Sequence, residues 1–183
     1  LCLVTEQTFR RDIMQKKLRV AGYVKLEKLW ERRRAQALEY HTKYYAKKYS
    51  DSTDFELVGV YIDITGRKEI KNRPEMLRLI HDCKEGRIDC IATQSRAYLA
   101  ANTGEFCSLI RYLFDMATPI HIITEDEAYN INTIINEDQQ KEELYRMAYS
   151  FTEMNTDEYR KWIEGVFLGI DKHVLQEGGH YGI

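Results

Sequence analysis

The stretch YIDITGRKEIKNRPEMLRLIHDCKEGRIDCIATQSRAYLAAN, residues 61–102, decides the fold. It opens on the end of a β-rich run at Asp63, crosses a loop with Gly66 and reaches Asn72-Arg73-Pro74. Proline there suits the first turn of a helix. Met76, Leu79 and Ile80 then recur three and four apart, the period of one helical face. Gly86 stops that helix, residues 88–93 form a short apolar run, and Asn102 or Thr103 can cap the helix that follows. A strand, a helix and a second strand in this order form a βαβ unit, which sets the two strands parallel.

The same alternation extends in both directions. Strands are expected at 18–24, 55–62, 88–93 and 120–124, each rich in Val, Ile or aromatic residues as buried parallel strands are. Helices are expected at 30–49, 74–86 and 102–116, the last with Phe106, Ile110, Leu113 and Phe114 on one face. Asp51-Ser52-Thr53-Asp54 is a turn cluster. The fold class is therefore α/β, with a mostly parallel central sheet in a body spanning 18–136. Residues 1–17 precede it as an N-terminal extension, with Phe9, Ile13 and Met14 at loosely helical spacing.

From 137 to 177 an apolar stripe through Leu144, Met147, Phe151, Met154, Trp162, Val166, Ile170 and Val174 predicts one long C-terminal helix. At 1.5 Å per residue it would measure about 55 Å, longer than the body it leaves. A second copy of the chain is then the expected cover for Trp162, Val166 and Phe167, making a homo-oligomer, a dimer in the simplest form. The alternative is a break near Gly165 or Gly169 that folds the helix back. Residues 178–183 read as a flexible end.

With 183 residues, 44% hydrophobic and 31% charged, the chain has the composition of one globular domain. No apolar run approaches the roughly 18 residues of a membrane span, and Leu1-Cys2-Leu3-Val4 is too short for a signal-peptide core, so a cytoplasmic location is expected. Four cysteines occur without a C-x-x-C pair, and the spacing of His81, Cys83, Asp89 and Cys90 matches no zinc pattern, so the cysteines are read as core packing and no metal is expected. A net charge of −2 argues against strong non-specific phosphate binding. The basic cluster from Arg32, Arg33 and Arg34 to Lys43, Lys47 and Lys48 reads as a solvated helix face. No Gly-x-Gly-x-x-Gly or Gly-Lys-Ser/Thr follows any strand, and Lys25-Leu26-Glu27-Lys28 is a poor phosphate cradle, which argues against nucleotide or flavin and leaves no cofactor expected.

Tyr61-Ile62-Asp63, Gly66, Arg73-Pro74 and the segment 93–103 together resemble the catalytic domain of the serine recombinases, the resolvase and invertase family. The resemblance implies a three-layer resolvase-like fold and DNA strand exchange: a serine attacks a DNA phosphate while arginines stabilise the charge that develops. It places that serine just after the first strand, in a Tyr-x-Arg-x-Ser arrangement. This chain has Tyr23, Lys25 and Glu27 there. Gln36 keeps the family's register on the first helix, and Asp63 and Arg73 are retained. Tyr98 and Ala101 stand where two arginines one helical turn apart would grip the phosphate. Arg96 points in a different direction on a helix, and Arg160 on the last helix is the stand-in for a further phosphate ligand. Lys161, Lys172 and His173 are the expected DNA contacts of that helix.

No catalytic set is intact on this reading. A carboxylate at position 27 would repel a phosphate at about 4 Å by roughly 4 kcal/mol in an effective dielectric near 20. The expectation is a recombination or integration domain of a mobile element that is degenerate at the nucleophile and retained for assembly. Its partners would be DNA, reached through a region outside this chain or a partner subunit, and an active recombinase. The alternative is a regulatory scaffold without a DNA role, self-associating through the long helix.

Overall fold

The computed structural model describes residues 16–127, 130–135 and 137–176. The helix expected around Phe9, Ile13 and Met14, and the end 178–183, lie outside them. Four strands, β1 (Leu18–Leu26), β2 (Phe55–Ile64), β3 (Cys90–Thr93) and β4 (His121–Thr124), form one sheet in the order β2-β1-β3-β4. All three pairings are parallel, as the βαβ reading requires. The connecting helices are α1 (Arg34–Tyr49), α2 (Pro74–Lys84) and α3 (Thr103–Phe114). The last two of these have the predicted punctuation: Pro74 opens α2, and the Asn102 side chain accepts from the Glu105 N–H at the start of α3. No described helix is long and apolar enough to cross a membrane.

The sheet divides two cores, because strand residues alternate between its faces. Val20, Val24 and Ile62 meet Tyr45 and Tyr49 of α1. Ala21, Tyr23 and Ile91 meet Met76, Ile80, Ile110 and Leu113 on the opposite side. Gly22 is the tightest point of the first core. A Cβ there would lie 2.7–2.9 Å from three ring atoms of Tyr45, whose hydroxyl donates to the Ala92 carbonyl at 3.3 Å. Cys83, Cys90 and Cys107 are buried packing residues.

Arg19 ties β1 to the start of β3. Its Nε and Nη2 donate to the two Asp89 oxygens at 2.9 and 2.7 Å, and its backbone N–H adds a third bond at 2.9 Å. Such a bidentate pair has fixed geometry and holds the Asp89 carboxyl below its ordinary value, chiefly through the Arg19 side-chain bonds.

The single long C-terminal helix is corrected. The chain forms α4 (Glu142–Met154) and α5 (Thr156–Ile170), separated at Asn155, which takes φ −129° and ψ 49°. The Asn155 side chain donates to the Phe151 carbonyl at 2.8 Å, ending α4, while its own carbonyl accepts from Tyr159 at 3.0 Å, starting α5. A side chain that satisfies a terminal carbonyl does the work of a helix stop, so the break falls there and not at Gly165 or Gly169.

After the turn α5 packs on its own domain. Val166 and Ile170 enter the same core as Leu77 and Leu144, and Trp162 lies edge-on to Tyr112 at 5.9 Å. The apolar residues assigned to a second copy are thus largely covered within the chain, Phe167 remaining part exposed under Lys84. Arg111 of α3 joins the two last helices, its guanidinium over the rings of Tyr149 (4.5 Å) and Tyr159 (4.8 Å).

Two outcomes follow from this packing. A Cβ at Gly169 would come within 2.8 Å of Leu77 Cδ1 and 3.0 Å of the Lys71 carbonyl. Gly169→Val is expected to destabilise by roughly 1–3 kcal/mol and lower the melting midpoint by about 2–4 °C per kcal/mol; an unchanged midpoint would mean that α5 does not rest on α2. Because the Asp89 pKa is depressed on folding, its contribution is complete above the ordinary carboxylate range and is lost as pH falls through the folded value. Denaturant titrations of Asp89→Asn should show a shallower loss of stability below about pH 4 than the parent chain.

Candidate functional site

Parallel strands bring their carboxyl ends to one side of the sheet, and the predicted site residues start from that edge. Tyr23 pairs with Tyr61 and Lys25 with Asp63 in the β1–β2 register, and Tyr23 faces Thr93 across β3. The Tyr23 hydroxyl donates to Asp63 Oδ2 at 3.0 Å in the interior. Residue 73 precedes a proline and is extended (φ −112°, ψ 98°), so α2 begins with the N–H groups of its first turn aimed back at the sheet. Asp63 accepts two of them, from Glu75 at 3.0 Å and Met76 at 2.9 Å. Burial pushes the Asp63 carboxyl up, opposed by these backbone bonds and by Tyr23. Burial and the charge of Asp63 push the Tyr23 phenol well up, so it remains the donor.

Arg73 is a buried cation, 1% exposed. Nη1 donates to the Tyr98 carbonyl at 2.6 Å and Nη2 to the Lys68 carbonyl, while Nε has no acceptor among the described residues. The guanidinium is spent on backbone, closing the 65–73 loop against the turn Arg96–Tyr98. Glu105 holds the same loop from the other side, accepting from Ile70 N at 2.9 Å and Ala101 N at 2.7 Å. Sequence reasoning missed Glu105, although Asn102-x-x-Glu105 has capping-box spacing. Asp126 fixes the following turn by accepting from the Ser95 hydroxyl at 2.9 Å and Arg96 N at 2.8 Å. Its burial works against ionisation, but these bonds win and hold the carboxyl low.

Glu27 follows β1 directly, its side chain 69% exposed and 3.2 Å from Lys25 Nζ. Exposure and the neighbouring ammonium reduce the expected phosphate repulsion to about 1 kcal/mol, the value for water at 4 Å. Repulsion is therefore a minor term; what matters is which groups are present. Gln36 lies exposed on α1, and among the described residues no hydrogen bond or ion pair joins Glu27 or Gln36 to Asp63 or Arg73. Tyr98 contributes a carbonyl and Ala101 an N–H, so neither position supplies a cation. Arg160 pairs with Asp157 at 2.9 Å in the first turn of α5. Lys161 and Lys172 are exposed and His173 is half-buried, on α5 and the turn after it. Among the described residues no cluster of three or more His, Cys, Asp or Glu could hold a metal ion.

The structure thus joins Tyr23, Asp63 and the start of α2 in one buried network, and Arg73, whose charge acts on the Tyr23 phenol, links it to the Tyr98 carbonyl. Glu27 and Lys25 form a separate exposed pair, and Gln36 stands apart. Three hydroxyls near this edge donate within the protein: Tyr23 to Asp63, Thr93 to the Tyr23 carbonyl at 2.9 Å, and Ser95 to Asp126.

The family model described as the resolvase N-terminal domain matches residues 32–166; positions 23–27 precede the matched residues. Among solved structures, the chain is similar to the N-terminal catalytic domain of TP901-1 integrase, with TM-score 0.53 and 16% identity over 76% of this chain and 97% of that one. It is also similar to a resolvase family site-specific recombinase from Streptococcus pneumoniae, with TM-score 0.50 and 16% identity over 85% and 100%. At that identity the likeness is one of fold. No curated protein matches the chain.

Asp63→Asn would set an amide N–H₂ or a single carbonyl against three donors. It should destabilise by roughly 2–3 kcal/mol in urea unfolding, and Tyr23→Phe by about 1 kcal/mol. Equal, negligible losses in both would mean that the network does not hold α2.

Proposed function

The chain belongs to the resolvase N-terminal domain family, and on that premise we propose that it serves site-specific DNA recombination as an assembly component that does not itself cut DNA. The observation that carries this reading is the pairing of Glu27 with Lys25 where the family resemblance puts the attacking serine. Strand cleavage needs a hydroxyl at that point and cations around the phosphate. Position 27 offers a carboxylate, positions 98 and 101 offer no guanidinium, and two donors of Arg73 are already given to the Lys68 and Tyr98 carbonyls.

In this role the chain acts beside an active recombinase subunit or a second copy of itself, in the cytoplasm, on DNA that is engaged through a region outside this chain or by the partner. Met154 and Leu168 are the most exposed of the apolar residues on α4 and α5 and suit that assembly. Lys161, Lys172 and His173 are assigned as the DNA contacts of the last helical segments.

The test is a supercoiled plasmid carrying the DNA that flanks the gene. It should remain uncut with this protein alone. It should remain uncut with E27S as well, because a hydroxyl restored at 27 still lacks the guanidiniums at 98 and 101. A covalent protein–DNA adduct through any residue of the parent chain would overturn the reading.

A further inference from the structure

We propose that the turn Lys28–Arg33 is a binding site for unpaired DNA bases, with Trp30 as the stacking face and Lys28, Arg32 and Arg33 as the phosphate contacts; this rests on the DNA role proposed above. The turn is a 3-10 segment between β1 and α1 in which no residue is buried. Leu29 is 72% exposed and Trp30 43%, an unusual expenditure of apolar surface beside the carboxyl end of the first strand.

Its charge is as one-sided as its exposure. The nearby anions are already engaged: Glu27 with Lys25 and Glu31 with Arg34, each at 3.2 Å. Lys28, Arg32 and Arg33 have no ion pair among the described residues. A local excess of three positive charges therefore stands on a chain whose net charge is −2. The loop after β2 passes Lys28 at Gly66 and adds Arg67 and Lys68, also without ion pairs among the described residues. Further along the same basic cluster two cations are paired, Lys43 with Glu39 and Lys48 with Glu125.

The same chemistry selects among occupants. Two apolar side chains are too few for the centre of a stable protein interface, which buries about 1,600 Å² in total. One indole is enough for a base, since every base has a π-face, and the cations beside it neutralise the connecting phosphates. Duplex bases already stack on one another, so a face-on contact with Trp30 requires an unpaired base.

The chain has two tryptophans, so W162F leaves Trp30 as the only indole reporter. Short oligothymidylate should quench its fluorescence saturably, in full-length protein whose melting curve matches the parent. Anisotropy of labelled oligothymidylate with otherwise unaltered protein gives the affinity independently. W30A should weaken binding about tenfold or more, the effect of one lost stack. R32A/R33A should flatten the slope of log affinity against log salt by about 1.4, from about 0.7 per cation on a single strand. Affinity unchanged in W30A, a duplex bound as tightly as the single strand, or equal quenching by an acidic peptide would each overturn the site. None of these readings depends on whether the plasmid is cut, so the site and the assembly role fail separately.

Discussion

A carboxylate buried between two strands and a helix is the constraint around which this edge of the molecule is organised. Asp63 satisfies the N–H groups of Glu75 and Met76 and the hydroxyl of Tyr23, so one side chain fixes β1, β2 and the first turn of α2 relative to each other. Ionised acceptors make stronger bonds than neutral ones, and a helix start favours negative charge. With α2 placed, Arg73 is drawn inside and closes the 65–73 loop through two backbone carbonyls. Glu105 then secures that loop to α3.

The positions that the resemblance singles out differ in what their side chains do. Tyr23, Asp63 and Arg73 bond to the protein itself, through side chains that hold strand, loop and helix together. Glu27, Tyr98 and Ala101 stand where the resemblance would put groups that touch substrate, and there the chain departs. Sites, not folds, carry activity.

Much of the fold was readable in the residues, for physical reasons. Parallel strands buried on both faces leave continuous apolar runs, so all four were visible; β1 and β2 continue to Leu26 and Ile64 because ladder bonds extend through Lys25 and Asp63, whose polarity hid them. Pro74 and Asn102 marked helix starts through local chemistry. The break at Asn155 was obscured because its apolar stripe stays in phase across it, even though Asn155-Thr156-Asp157 is a run of capping residues. In the site, Tyr23 and Asp63 were singled out as positions, but their contact was not, because the register sets Tyr23 beside Tyr61 and Asp63 beside Lys25. The bonds of Arg73 could not be read, since their acceptors are carbonyls of Lys68 and Tyr98, and a carbonyl leaves no signature in a sequence.

Arg111 gives the C-terminal half its mechanical character. One guanidinium rooted in α3 lies on Tyr149 before the break and on Tyr159 after it, and donates to Thr152 and Glu153 between them. The bend is clasped instead of hinged, and α4 and α5 form a stiff bracket bolted to the layer above the sheet. A load applied at the tip of that bracket, near Leu168, would pass first into α2, on which Gly169 rests, and be shared with α3 through Arg111 in place of bending at Asn155.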